Sequence, residues 1–148
     1  MRRATVRNIS RILFLIYMFI LLKLTVFRSG FSFAPPYFSG SVNLTLFEDL
    51  IRIYHNSIPV FCRLFFGNIV WFIPFGLLLP LCSRTNKNHP FLWVIFSGFY
   101  LSMCIEFLQF TFGVGVAEID DLILNTLGCA IGYLIYAIIR KLGASARI

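Results

Sequence analysis

Long apolar stretches alternate with short polar connections along this chain. Four of them have the length of a membrane crossing: about Ile12 to Phe27, about Phe61 to Leu81, Phe91 to Phe112, and about Ile119 to Ile139. A hydrocarbon core of about 30 Å needs about 20 helical residues at 1.5 Å each. One larger gap, about Arg28 to Val60, separates the first stretch from the second. Within it, Ala34-Pro35-Pro36-Tyr37 and Ser39-Gly40-Ser41 predict turn and extended backbone. Thr45 to Tyr54 reads as a short helix, with Thr45 and Glu48 as a capping box. Phe47, Leu50, Ile51 and Tyr54 give it an apolar face suited to a membrane surface. Asn43-Leu44-Thr45 is also a glycosylation sequon, a short pattern of low specificity.

The polar residues inside the apolar stretches follow helical spacing. Gly98, Ser102, Glu106, Gln109 and Gly113 are separated by 4, 4, 3 and 4 positions and form one small, polar stripe. A carboxylate such as Glu106 is expensive in lipid and turns toward a bundle interior. In the fourth stretch Asp121, Asn125, Gly128 and Gly132 are spaced 4, 3 and 4 on one face. Gly128 and Gly132 form a GxxxG seam for close helix approach. The second stretch holds Asn68, then Pro74, which removes a backbone donor and predicts a kink, with Gly76 easing the adjustment.

Composition agrees with a chain largely in lipid. Of 148 residues, 59% are hydrophobic and only 13% charged, with a mean hydropathy of +0.85. The predicted fold class is an all-α membrane protein, a bundle of four transmembrane helices in a single domain spanning residues 1–148. The net charge of +7 does not indicate nucleic acid, because the basic residues flank apolar runs and form no stripe. They define topology instead. With a cytoplasmic N-terminus, Arg2, Arg3, Arg7, Arg11, Arg84, Lys87, Arg140, Lys141 and Arg147 lie inside, and Lys23, Arg28, Arg52 and Arg63 outside. That asymmetry predicts both termini in the cytoplasm. Reading the N-terminal stretch as a cleaved signal peptide is disfavoured, since no A-x-A-like site follows and Lys23 interrupts the apolar run. The four cysteines have no metal-ligand spacing and behave as small hydrophobes. No cofactor and no metal site is implied.

This topology brings Asn68, Glu106 and Asn125 to one depth, roughly 8–10 Å below the outer edge of the core. Asn68, Glu106, Gln109, Asp120, Asp121 and Asn125 are therefore the candidate ligand-binding residues, and Pro74, Gly76, Gly128 and Gly132 the candidate packing residues. The bland alternative for the polar set is interhelical glue, at about 0.6–2 kcal/mol per hydrogen bond. An enzyme reading would place Mg²⁺ on Glu118, Asp120 and Asp121, with Glu106 as general acid or base. The absence of any Ser–His or Cys–His set, HExxH or P-loop argues against it. Three carboxylates at a helix start also follow from the helix dipole. A small transporter or its accessory subunit is a further reading, though four spans are few for a carrier.

The chain resembles the VanZ-like family of membrane proteins. The resemblance rests on an ordered set of short stretches: Asn43-Leu44-Thr45-Leu46-Phe47, Asn68 through Pro80, Glu106-Phe107-Leu108-Gln109, Ile119-Asp120-Asp121, and Asn125-Thr126-Leu127-Gly128 with Gly132-Tyr133. It implies a multi-pass protein of a bacterial cell membrane, associated with resistance to glycopeptide antibiotics, teicoplanin in particular. It supplies no reaction. Many members have an Arg three residues before the acid aligned with Glu118, where this chain has Gly115. The leading reading of the polar residues themselves is an outward-facing site that binds a cell-envelope lipid, a lipid-linked wall precursor or a lipoglycopeptide, with the bilayer as the other partner. There Glu106 would act as hydrogen-bond donor or proton-linked switch, and Asp121 and Asn125 would orient a polar head group. Reporter fusions test the topology: cytoplasmic signals are expected at the N-terminus, near Arg84 and after Lys141. An external signal near Arg84 would invert the map.

Overall fold

In the computed structural model the described residues are 2–27, 31–33, 37–83 and 90–145. The expected turn at Ala34-Pro35-Pro36 and the basic positions Arg28, Arg84, Lys87 and Arg147 lie outside them. The elements in chain order are α1 (Arg2–Thr25), β1 (Ser41–Asn43), α2 (Glu48–Asn56), α3 (Ile58–Cys82), α4 (Pro90–Phe112), β2 (Val116–Glu118) and α5 (Ile119–Ser145). The helices α1, α3, α4 and α5 are each long and apolar enough to cross a membrane and coincide with the four predicted spans. The main difference is at α1, which starts at Arg2 rather than near Ile12. Its basic first turns are good helix formers. One of them reaches across the bundle: Arg11 Nε donates to the Cys82 carbonyl at 3.2 Å, a cation at the negative end of α3.

α5 is central. Its Gly128 and Gly132 face α3, where added Cβ atoms would overlap the carbonyl oxygens of Ile69 and Ile73. Gly76 of α3 returns the contact, since its own Cβ would collide with the Cys129 carbonyl. Three glycines thus let two backbones touch, as the GxxxG spacing predicts. A quarter-turn around α5, Cys129 is fully buried and occupies the space left by Gly98 of α4. Leu21, Val26, Phe72, Phe75 and Ile105 pack around Cys129. Pro74 and Pro80 lie inside α3 without ending it. Pro74 withholds a donor from the turn before it, and in that turn the Trp71 carbonyl accepts the Tyr17 hydroxyl of α1 at 2.8 Å.

A cap covers one end of the bundle. The strands β1 and β2 pair in parallel, with Ser41 opposite Val116 and Asn43 opposite Glu118. This ties the long first connection to the short one between α4 and α5. Sequence reading expects extended backbone around Ser39–Ser41 but not its partner. α4 ends in a Schellman turn: Gly113 has φ +62°, its N–H bonds the Phe110 carbonyl, and Val114 N–H bonds the Gln109 carbonyl at 3.1 Å. Gly113 therefore closes the polar stripe by terminating the helix.

The short helix α2 differs from expectation at its start. It begins at Glu48 after Phe47 in the left-handed region, with no side-chain cap. The capping box does not form, because Thr45 turns back: its hydroxyl and its N–H both donate to Asn43 Oδ1, at 2.6 and 3.0 Å. Asn43 Nδ2 donates to Asp49 at 2.6 Å, so the sequon asparagine is a structural bracket for this turn. The apolar face is divided between the bundle and the surface. Leu50 is buried with Ile69 and Leu124, and Phe47 packs against them, whereas Ile51 is 56% exposed.

Gly132→Leu should sharply lower the amount of folded protein, because its side chain would wedge the Ile73 backbone away from α5. Gly67→Ala, with nothing near its Cβ position, should accumulate normally. Membrane abundance and thermal unfolding in detergent measure both.

Candidate functional site

Interhelical polar contacts concentrate at the capped end. Asn68 Nδ2 of α3 donates to Asp121 Oδ1 of α5. Asn125 Nδ2 donates to the Ser102 hydroxyl of α4 at 2.9 Å, and both residues are buried. Glu106 is buried at 8% exposure and accepts the Glu118 backbone N–H at 3.0 Å. Gln109 Nε2 donates to the Thr25 carbonyl of α1 at 3.2 Å. Asp120 is 1% exposed, and its Oδ1 accepts the Phe47 N–H at 2.9 Å. In lipid each such group must find a partner within the protein. Here each one also fixes an element: Glu106 holds β2, and Asp120 holds the left-handed entry to α2.

The predicted polar set is thus brought to one end but divided among neighbours. Asp121 follows the Gly128–Gly132 face onto α3, while Asn125 turns to α4. Two members of the set, Gln109 and Asp121, line a cleft of about 400 Å³. The other charged residues on its wall are Asp49, Arg52 and Glu118. Leu50, Ile53, Leu64 and Val116 supply an apolar side. Asn68 and Glu106 hold wall residues in place, through Asp121 and the Glu118 N–H, whereas Asp120 and Asn125 bond Phe47 and Ser102 away from the wall. Asp49 and Arg52 of α2 escape sequence reading as site residues. Their three-residue spacing is legible, and the ion pair between them forms, but the sequence carries no sign that α2 folds over the bundle. Glu118 enters the sequence reading only as a metal ligand. Asp120 is turned to the Phe47 N–H and Asp121 to Asn68, and among the described residues no group of three His, Cys, Asp or Glu side chains is arranged to hold a metal ion.

Burial holds the Glu118 carboxyl above its ordinary value of 4.5, and the nearby Asp120 carboxylate adds to the effect. Its bound proton is therefore retained more readily in the folded protein than in the unfolded chain. Its contribution to stability is complete below pH 4.5 and is lost as pH rises through the raised value.

A polar-lined cleft at one end of a four-helix membrane bundle defines a class of protein, and sequence comparison gives the particular family. The VanZ/LLP1 family matches residues 14–140, and the chain belongs to it. The chain is 31% identical over 136 residues to Protein VanZ of Enterococcus faecium, covering 90% of this chain and 76% of that protein. No solved structure matches. Family and spans together make this a multi-pass bacterial membrane protein.

Two measurements test the site's construction. Glu118→Gln should raise the unfolding temperature over wild type by more at neutral pH than at pH 4.5, because the stabilisation from the native proton is lost as pH rises. In a double-mutant cycle, Ser102→Ala and Asn125→Ala should couple by about 0.6–2 kcal/mol.

Proposed function

We propose that the cleft opens to the outside of the cell and binds a cell-envelope lipid, a lipid-linked wall precursor or a lipoglycopeptide, lowering the access of a glycopeptide such as teicoplanin to its target. One observation carries this reading: a single cleft joins an apolar wall, from Leu50, Ile53, Leu64 and Val116, to the carboxylates of Asp49, Glu118 and Asp121. That combination fits a molecule with an acyl or isoprenoid part and a polar head. The distribution of charge supports the outward direction. All six acidic residues, Glu48, Asp49, Glu106, Glu118, Asp120 and Asp121, belong to the capped end or the turns just below it. The basic clusters at Arg2–Arg11 and Arg140–Lys141 belong to the opposite end, which the positive-inside rule assigns to the cytoplasm.

Likeness to a protein named VanZ supports the association with glycopeptide resistance, and the cleft supplies a physical route that needs no catalysis. In this reading Glu106 and Asn68 hold the walls in place, while Glu118 and Asp121 face the ligand. The test is a teicoplanin-tolerance assay in a susceptible strain, with membrane abundance measured in parallel. Asp121→Asn and Glu118→Gln should each abolish tolerance at normal abundance. Full protection by both variants would sink the binding reading and leave the cleft a structural seam.

A further inference from the structure

The functional reading leaves open which head group the cleft selects, and the inference here rests on that reading. The charged and hydrogen-bonding groups on the wall are unbalanced. Among the described residues Arg52 is its one cation, and it is already paired with Asp49. That leaves Glu118 and Asp121, two carboxylates on a chain whose net charge is +7. A second, independent feature is Gln109. It is 9% exposed and lines the same cleft. Its Nε2 is committed to Thr25, while its Oε1 is buried with no partner. A buried acceptor left unpaired is costly and favours a donor from a ligand. Asp121 has one oxygen engaged by Asn68, so its other oxygen remains for a ligand. The cleft therefore presents acceptors and asks for donors that carry positive charge.

We propose that the cleft selects the protonated primary amine of an amphiphile, with the ammonium held among Glu118, Asp121 and Gln109 Oε1 and the chain laid against Leu50, Ile53, Leu64 and Val116. An ammonium offers three N–H donors and no acceptor, matching three acceptors from three elements: β2, α5 and α4. A phosphate or sulfate head brings only acceptors to a wall whose open groups are two acids and a carbonyl oxygen, and fits it poorly. A neutral head would satisfy Gln109 but leave the carboxylates uncompensated. Amino-lipids, wall precursors with a free side-chain amine and lipidated antibiotics with a free amine all carry this chemistry at a membrane surface.

The full chain, purified in a neutral maltoside detergent, is titrated with hexadecylamine, with its uncharged counterpart N-hexadecylacetamide, and with soluble butylamine. Binding is read by native mass spectrometry and by the rise in unfolding temperature. The amine should bind about tenfold more tightly than the acetamide, the scale of one charged hydrogen bond. Glu118→Gln and Asp121→Asn should each remove most of that preference, the rise on adding ligand being measured against each variant's own unliganded unfolding temperature. Binding only by hexadecylamine supports the amphiphile as proposed; equally tight binding by butylamine would overturn the role of the apolar wall and point to a soluble or wall-linked amine. Equal binding of amine and acetamide overturns the proposal, as does a preference that survives both substitutions. The tolerance assay separates this from the wider reading. Loss of tolerance in variants of a protein with no amine preference would overturn the head-group assignment alone. An amine preference with tolerance unchanged in both variants would overturn the resistance role and leave the amine site standing.

Discussion

The rest of this structure depends on the contact between α3 and α5. In lipid no hydrophobic force draws two apolar helices together, so association relies on close packing and on polar contacts between helices. Gly76, Gly128 and Gly132 permit that packing by removing side chains where the Ile69, Ile73 and Cys129 backbones pass. Because the two helices touch, Asp121 comes within reach of Asn68, and Cys129 is presented to Gly98 on α4. The third long helix then docks through Ser102 and Asn125. α1 and the turn after it close the bundle through Leu21, Val26 and the Tyr17 hydroxyl.

Polar groups in such a bundle are constrained twice, by the cost of leaving them unpaired and by the lack of water to pair them. The capped end answers with side chains that hold backbone. Glu106 accepts from Glu118 N–H, Asp120 from Phe47 N–H, and Gln109 donates to the Thr25 carbonyl. These bonds explain why carboxylates and amides survive in an apolar sequence without each touching a ligand. They also fix the walls of the cleft, so that its exposed acceptors stand on rigid supports. A candidate site of this kind is built mainly by residues that never face it.

Several features follow from sequence alone because they depend on local period or length. The four spans are legible from apolar runs that match the bilayer, and the GxxxG seam from spacing on one helix face. The stripe through Ser102, Glu106 and Gln109 is legible from the same periodicity. Its division among partners is not, because which neighbour a helix face meets depends on how all four helices pack. Asn125 and Asp121 share a face by spacing, yet one turns to α4 and the other to α3.

The cap shows the same limit more sharply. Thr45 and Glu48 have the spacing of a capping box, but Asn43 is close enough to take both donors of Thr45, and Asp120, distant in sequence, takes the Phe47 N–H. The pairing of β1 with β2, and the folding of Asp49 and Arg52 over the bundle end, join segments separated by some seventy residues. Hydrophobic period determines which residues cross the membrane, since it records a one-dimensional match between chain and bilayer. Only the tertiary structure decides which acids meet in the cleft, because that choice is made by contacts between distant segments that no local pattern encodes.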